Sequence, residues 1–142
     1  MFYIDTSVIV AYYYPEPLSE KAENFLMIHA SPAISTLTEV EMFSALSRKI
    51  REGGLSRKDA GLIVAKFLNH VDGHYYTRLL LEPHHYRLAR DWIGLFQTNL
   101  KTLDALHLAI AHAEGLTVVT ADQGLAESAK ALALDVVVLK RE

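Results

Sequence analysis

The chain has 142 residues, a formal net charge of -3 and no cysteine. That length suits one domain with a real core, and a composition of 51% hydrophobic and 22% charged residues excludes a disordered chain. The lack of cysteine excludes a disulfide framework or a thiolate metal site and fits a reducing compartment, and no apolar run is long enough to span a bilayer. The opening stretch carries Asp5 and no basic residue, unlike a secretory leader, so a cytoplasmic protein is expected.

In chain order, Phe2 to Asp5 reads as a short buried strand. After the break at Pro15 and Pro17, Leu18 to Ala30 reads as a helix, and Pro32 to Ser35 as a second short strand. Thr36 and Glu39 are spaced as a capping box, opening a helix that ends at Gly53-Gly54. Ser56 and Asp59 cap the next helix, in which Ala60, Ile63, Val64, Phe67, Leu68 and Val71 recur at helical spacing. Tyr75 to Leu81 reads as a strand, and Pro83 starts a helix through about Phe96. Thr102 caps a helix that stops at Gly115; Thr117 to Thr120 is a strand, Gln123 to Leu132 a helix and Val136 to Leu139 a last strand. Strands alternating with helices imply one α/β domain over residues 1–142, with a mostly parallel sheet and right-handed crossovers. Ligands in such folds bind at the carboxyl ends of the strands.

Acidic residues fall on that edge. Asp5 ends the first strand, and Asp122 lies just past Thr120. The helix opened by Thr102 runs back through Gly115 into the strand, so its first turn, with Asp104, returns to the same edge. The helix opened by Thr36 starts there too, bringing Glu39 and Glu41. Crowded carboxylates repel one another, and a fold tolerates them mainly around a cation; oxygen-only donors favour Mg²⁺ or Mn²⁺ and phosphoryl chemistry. Each acid also has a plainer reading. Asp104 suits a helix N-terminus, and Asp122 can cap the helix that follows it. Glu39 completes the capping box, and Glu41 can be an exposed helix residue sharing a face with Ser44, Ala45 and Arg48. Asp5, inside an apolar run, is expensive to bury without a partner. The helical wheel leaves Glu39 against Glu41 open.

The segments that carry these acids resemble the PIN-domain family, and within it the VapC-like toxins. FYIDTSVIVAYYYPEP is similar to the family's first strand and Asp-Thr-Ser signature, and STLTEVEMFSALSRK to its Glu helix. LKTLDALHLAIAHAEG is similar to its Asp-Ala-Leu-His-Leu-Ala segment, and VVTADQGLAESAKALAL to its fourth acidic segment. The likeness spans the chain in order, and its offset to Ala45-Leu46 chooses Glu41 over Glu39. It implies a three-layer α/β/α sandwich around four or five mostly parallel strands. It also implies an Mg²⁺- or Mn²⁺-dependent endoribonuclease with Asp5, Glu41, Asp104 and Asp122 as metal-binding catalytic acids, a homodimer, and inhibition by a cognate antitoxin.

Thr6 and Ser7 either support a bound water or phosphate or cap a helix; Thr120 can hold Asp122 in place. His107 shares a helix face with Asp104 but reads as a satisfied, partly buried histidine; Tyr12, Tyr13, Tyr14 and Trp92 read as packing. The basic residues Arg48, Lys49, Arg51, Arg57, Lys58, Arg78, Arg87 and Arg90 read as solvated helix faces. An apolar antitoxin helix would find its groove among Met42, Phe43, Leu46, Ile63 and Phe67. Three other functions compete. A haloacid-dehalogenase-like phosphatase requires a second Asp where Ser7 stands, a histidine-driven ribonuclease requires a paired set among the seven histidines and none is convincingly paired, and a PIN-like RNA- or protein-binding module without catalysis should have lost an acid.

Overall fold

The computed structural model describes residues 1–141. In chain order the elements are β1 (Phe2–Ile4), α1 (Thr6–Tyr13), α2 (Ser19–Ile28), β2 (Ala33–Ser35), α3 (Thr36–Arg51), α4 (Arg57–Asp72), β3 (Thr77–Leu79), α5 (Pro83–Ile93), α6 (Thr102–Ala113), β4 (Thr117–Thr120), α7 (Gln123–Ala131) and β5 (Val136–Val138). The five strands among the described residues pair in parallel in the order β3-β2-β1-β4-β5. The chain winds outward from β1 to β3, then returns to the other side of β1 for β4 and β5. With crossovers of one hand, that reversal puts α1–α4 on one face of the sheet and α5–α7 on the other. It also makes the gap between the carboxyl ends of β1 and β4 the switch point of the fold.

Strand residues alternate between the two faces. Tyr3, Ala33 and Val118 join one buried cluster with Leu106, Leu108 and Ile110 of α6 and Leu125 of α7. Their neighbours Ile4, Ile34 and Val119 join a second cluster with Val8 of α1, Leu18 at the start of α2, Met42 of α3 and Phe67 of α4. The two clusters are the apolar layers of the expected sandwich. The sheet has the expected parallel direction, and Trp92 packs against the first cluster as expected.

Four local readings change. Helix α1 has no counterpart among the elements expected from the sequence: Thr6, Val8, Ile9, Ala11 and Tyr13 are buried on more than one side, so no amphipathic period betrays it. The capping box of α3 is set one residue earlier: Ser35 is the N-cap and Thr38 its partner, not Thr36 and Glu39. Thr102 is the first residue of α6 rather than its cap, and the N-cap Lys101 makes no side-chain capping bond. Of the residues expected to line an apolar groove, Met42, Leu46 and Phe67 are buried in the second cluster, Ile63 is partly buried and Phe43 is exposed. Among the described residues no helix is long and apolar enough to cross a membrane.

Candidate functional site

Asp5 leaves β1 as the N-cap of α1 and is only 6% exposed. Burying a carboxylate demands donors, and the adjoining segments supply them. Its Oδ2 accepts from Ser7 Oγ at 2.7 Å and from Thr120 Oγ1, at the end of β4, at 2.9 Å. Ser7 Oγ in turn accepts from the Ala121 N–H at 3.0 Å, and Thr120 Oγ1 accepts from the Asp122 N–H at 3.0 Å. The β1 and β4 ends are thus tied together at the switch point. Thr120 serves Asp5 as well as the backbone of Asp122.

Glu41, on α3, accepts from Thr6 Oγ1 at 2.6 Å and from His107 Nε2. His107, on α6, is 1% exposed and also lies 3.9 Å from Asp5 Oδ1. Its other ring nitrogen meets the buried Tyr3 hydroxyl at 2.5 Å, and Tyr3 continues to Ser35 Oγ at 2.8 Å. Burial works against a charge on His107, but its bond to Glu41 and the charges of Asp5, Glu41 and Asp104 outweigh it and raise its pKa. Burial likewise works to raise the Glu41 carboxyl, and the bond and charge of His107 with the Thr6 hydroxyl hold it below its ordinary value. Burial keeps the Tyr3 hydroxyl protonated, above the usual tyrosine range. Glu41, His107, Tyr3 and Ser35 therefore form one hydrogen-bonded chain from the site to the capping residue of α3. His107 reads from the sequence as a satisfied histidine, and so it is; its partners come from segments remote in sequence.

Asp104, in the first turn of α6, is half-buried and has a different environment. Its carboxyl is pushed up to about 6 by burial, then by the charges of Asp122 and Asp5. Asp122 is exposed and caps α7, its Oδ1 accepting from the N–H groups of Gly124 at 2.8 Å and Leu125 at 3.2 Å. The capping reading of Asp122 holds, and it leaves Asp122 beside the other acids.

All four acids, with Thr6 and Ser7, line one cleft of about 520 Å³. Glu39 is elsewhere, in a pair with Arg78 whose Nε donates to Oε2 at 2.5 Å. The cleft also takes in Ser44, Ala45, Arg48 and Lys49, the α3 face that Glu41 shares by helical spacing. Arg48 and Lys49 therefore stand at the site rather than on a remote solvated face. The spacing from Glu41 was the signal that joins them to it. Arg141 reaches the same cleft from the chain's end and holds Glu16 with Nε to Oε2 at 3.1 Å. Nothing in the sequence pattern pointed to that pair.

The donors suit a hard divalent cation: they are carboxylates and hydroxyls, and the raised Asp104 pKa marks anionic charge without a full counterion. Among the described residues, however, no three such groups converge closely enough to form a ligand shell as they stand. Glu41 Oε1 is taken by Thr6 and His107, and Asp122 Oδ1 by the start of α7. The fit is thus one of donor chemistry and charge, and the carboxylates must draw closer together to complete a shell.

A PIN domain family model matches residues 2–131. No curated protein matches the chain. Several solved structures share the fold. FitAcB from Neisseria gonorrhoeae superposes with a TM-score of 0.73 at 20% identity, over 96% of each chain. VapC20 of Mycobacterium tuberculosis, described as a sarcin-ricin loop cleaving toxin, gives 0.72 at 15% identity, over 90% of this chain and 95% of its own. VapBC2 from Rickettsia felis, bound to a DNA fragment from its promoter, gives 0.68 at 17% identity, over 100% of each chain.

Proposed function

Because this chain belongs to the PIN domain family, we propose that it is a metal-dependent endoribonuclease acting as the toxin of a toxin–antitoxin pair. One observation carries the reading: Asp5, Glu41, Asp104 and Asp122, from four separate segments, line one cleft at the carboxyl edge of the sheet. Asp5, Glu41, Asp104 and Asp122 are assigned as the catalytic acids and the ligands for Mg²⁺ or Mn²⁺. When bound, the ion supplies an activated water and offsets charge on the phosphodiester.

The chain's own residues set the stage for that chemistry. Ser7 and Thr120 fix Asp5 by Oδ2, leaving Oδ1 toward the cluster. Thr6 and His107 hold Glu41 in its ionised form. Asp104, with its pKa pushed up to about 6 by burial and by the charges of Asp122 and Asp5, is ionised at neutrality at a cost that a bound cation would relieve. Arg48 and Lys49 stand where the phosphates of an RNA strand would need counter-charge.

The toxin role draws on the similar solved structures, which include a toxin that cleaves the sarcin-ricin loop and a VapBC2 assembly on promoter DNA. A cognate antitoxin would place an Arg among the carboxylates, where its planar guanidinium can bind them bidentately in place of the ion. The homodimer and the cytoplasmic setting belong to the same reading.

The test is cleavage of total cellular RNA with Mg²⁺ or Mn²⁺ present. Wild type should release fragments with 5′-phosphate ends, EDTA should stop it, and Asp5→Asn should lower the rate by about three orders of magnitude, the scale of several kcal/mol of charge stabilisation. Full cleavage in EDTA, or 2′,3′-cyclic phosphate ends, would overturn the assignment.

A further inference from the structure

We propose that Phe96 and the cleft beside it form a subsite for one nucleobase of single-stranded RNA next to the bond that is cut; this rests on the ribonuclease function proposed above. Phe96 lies between α5 and α6 and is 89% exposed, with a φ of 54°. Both features oppose stability. A left-handed backbone is disfavoured for a bulky side chain, where glycine or asparagine is the ordinary choice. A phenyl ring in water also forgoes the gain of burial. The turn around it is nonetheless well held. The Phe96 N–H donates to the Ile93 carbonyl at 3.0 Å, the Leu100 N–H donates to Thr98 Oγ1 at 3.1 Å, and Leu100 is itself buried. A costly side chain on a fixed turn, one residue before the lining of a cleft, points to a ligand.

The next residue opens a cleft of about 350 Å³, where Gln97, Thr98, Asn99 and Lys101 face Asp104 and Asp122. Asp104 and Asp122 also line the main cleft, so the two clefts meet at the carboxylates. Their outer walls differ in cations. Arg48 and Lys49 line the α3 side, with Glu16 and Glu52 beside them, and can meet phosphates. The Phe96 side has Lys101 as its one basic lining residue among the described residues, with Glu127 beside it. Its amides, Gln97 and Asn99, each carry donors and an acceptor and match the neutral edge of a base. An aromatic face with amides beside it is the chemistry that holds unstacked bases, which single strands offer and duplexes do not.

The experiment measures binding of a short fluorescein-labelled single-stranded RNA of mixed sequence to the Asp5→Asn chain in Mg²⁺, by anisotropy. An abasic ribose-phosphate strand of the same length is the control. Adding Phe96→Gly should weaken binding to the RNA about tenfold, the size of one base–aromatic stack, and leave the abasic strand unaffected. Phe96→Trp should bind as tightly as the parent. Phe96→Gly should also melt no lower than the parent, because glycine relieves the left-handed backbone. Equal RNA affinity for the parent and Phe96→Gly overturns the subsite while leaving the nuclease reading intact. A lower melting temperature or a smaller oligomer in Phe96→Gly also overturns it, and assigns the ring to packing or to a second copy of the chain. A parent that binds no RNA at all overturns the subsite and the nuclease reading together.

Discussion

Asp5 and Glu41 on one side of the site, and Asp104 and Asp122 on the other, carry the same functional group in unlike surroundings. Asp5 is buried deeper than Asp104, yet it has two hydroxyls on one oxygen, and Glu41 has Thr6 and the His107 ring. Asp104 sits half-buried among negative neighbours, and its pKa rises to about 6. The comparison separates burial from cost. A carboxylate is tolerated inside when donors replace its water; Asp104 lacks such donors among the described residues, so its burial first, and then neighbours of its own sign, raise its pKa. Under the proposed metal dependence the Asp104 side is therefore where a cation would gain most, and the Glu41 side is where the protein has built a scaffold for its charge.

Removing charge on the two sides should have opposite effects on stability. The largest effect is expected for Glu41→Gln. It should cut RNA cleavage by about two to three orders of magnitude. It should also lower stability by about 1–3 kcal/mol, because the buried His107 loses its carboxylate. Denaturant titration in EDTA alongside cleavage assays checks both. A Glu41→Gln chain as stable as wild type would mean that the His107 link carries no energy.

Asp104→Asn should also suppress cleavage but raise stability, by about 1 kcal/mol once its half-exposed position is discounted for solvent screening. Its folded pKa of about 6 lies above its ordinary value of 3.8, so the folded protein binds this proton more tightly than the unfolded chain. The stability that goes with that proton is present below 3.8 and is lost as pH rises through about 6. In EDTA, the advantage of Asp104→Asn over wild type should therefore be near zero at acid pH and full by neutrality. Melting curves across that range measure it, and a constant difference would break the contrast between the two sides.

Glu39→Gln should do least. Glu39 pairs with Arg78, half-exposed, outside the acidic cleft. Its loss should change stability by less than about 1 kcal/mol and leave cleavage unaltered. Cleavage abolished by Glu39→Gln but retained in Glu41→Gln would reassign the α3 acid.

Much of this was legible in the residues themselves. Helix and strand periods, Gly and Pro breaks and the alternation of elements determine a parallel α/β sheet. Chain direction then puts Asp5, Asp104 and Asp122 on its carboxyl edge, and helical spacing puts Arg48 on the Glu41 face. These are local rules, decided within a turn or a strand. The rest needed the sheet order. Whether Glu39 or Glu41 lines the cleft with Asp5 depends on where α3 packs: Glu41 does, and Glu39 pairs with Arg78 instead. Helix α1 stayed hidden because a helix buried on several sides has no polar face to set its period. The Tyr3–His107 bond joins residues 104 positions apart, and the Thr120–Asp5 bond residues 115 apart. Such contacts exist because β4 returns to lie beside β1. Sequence spacing carries no record of which strands become neighbours, so only the folded sheet decides which side chains neutralise one another and which, like Asp104, are left to repel.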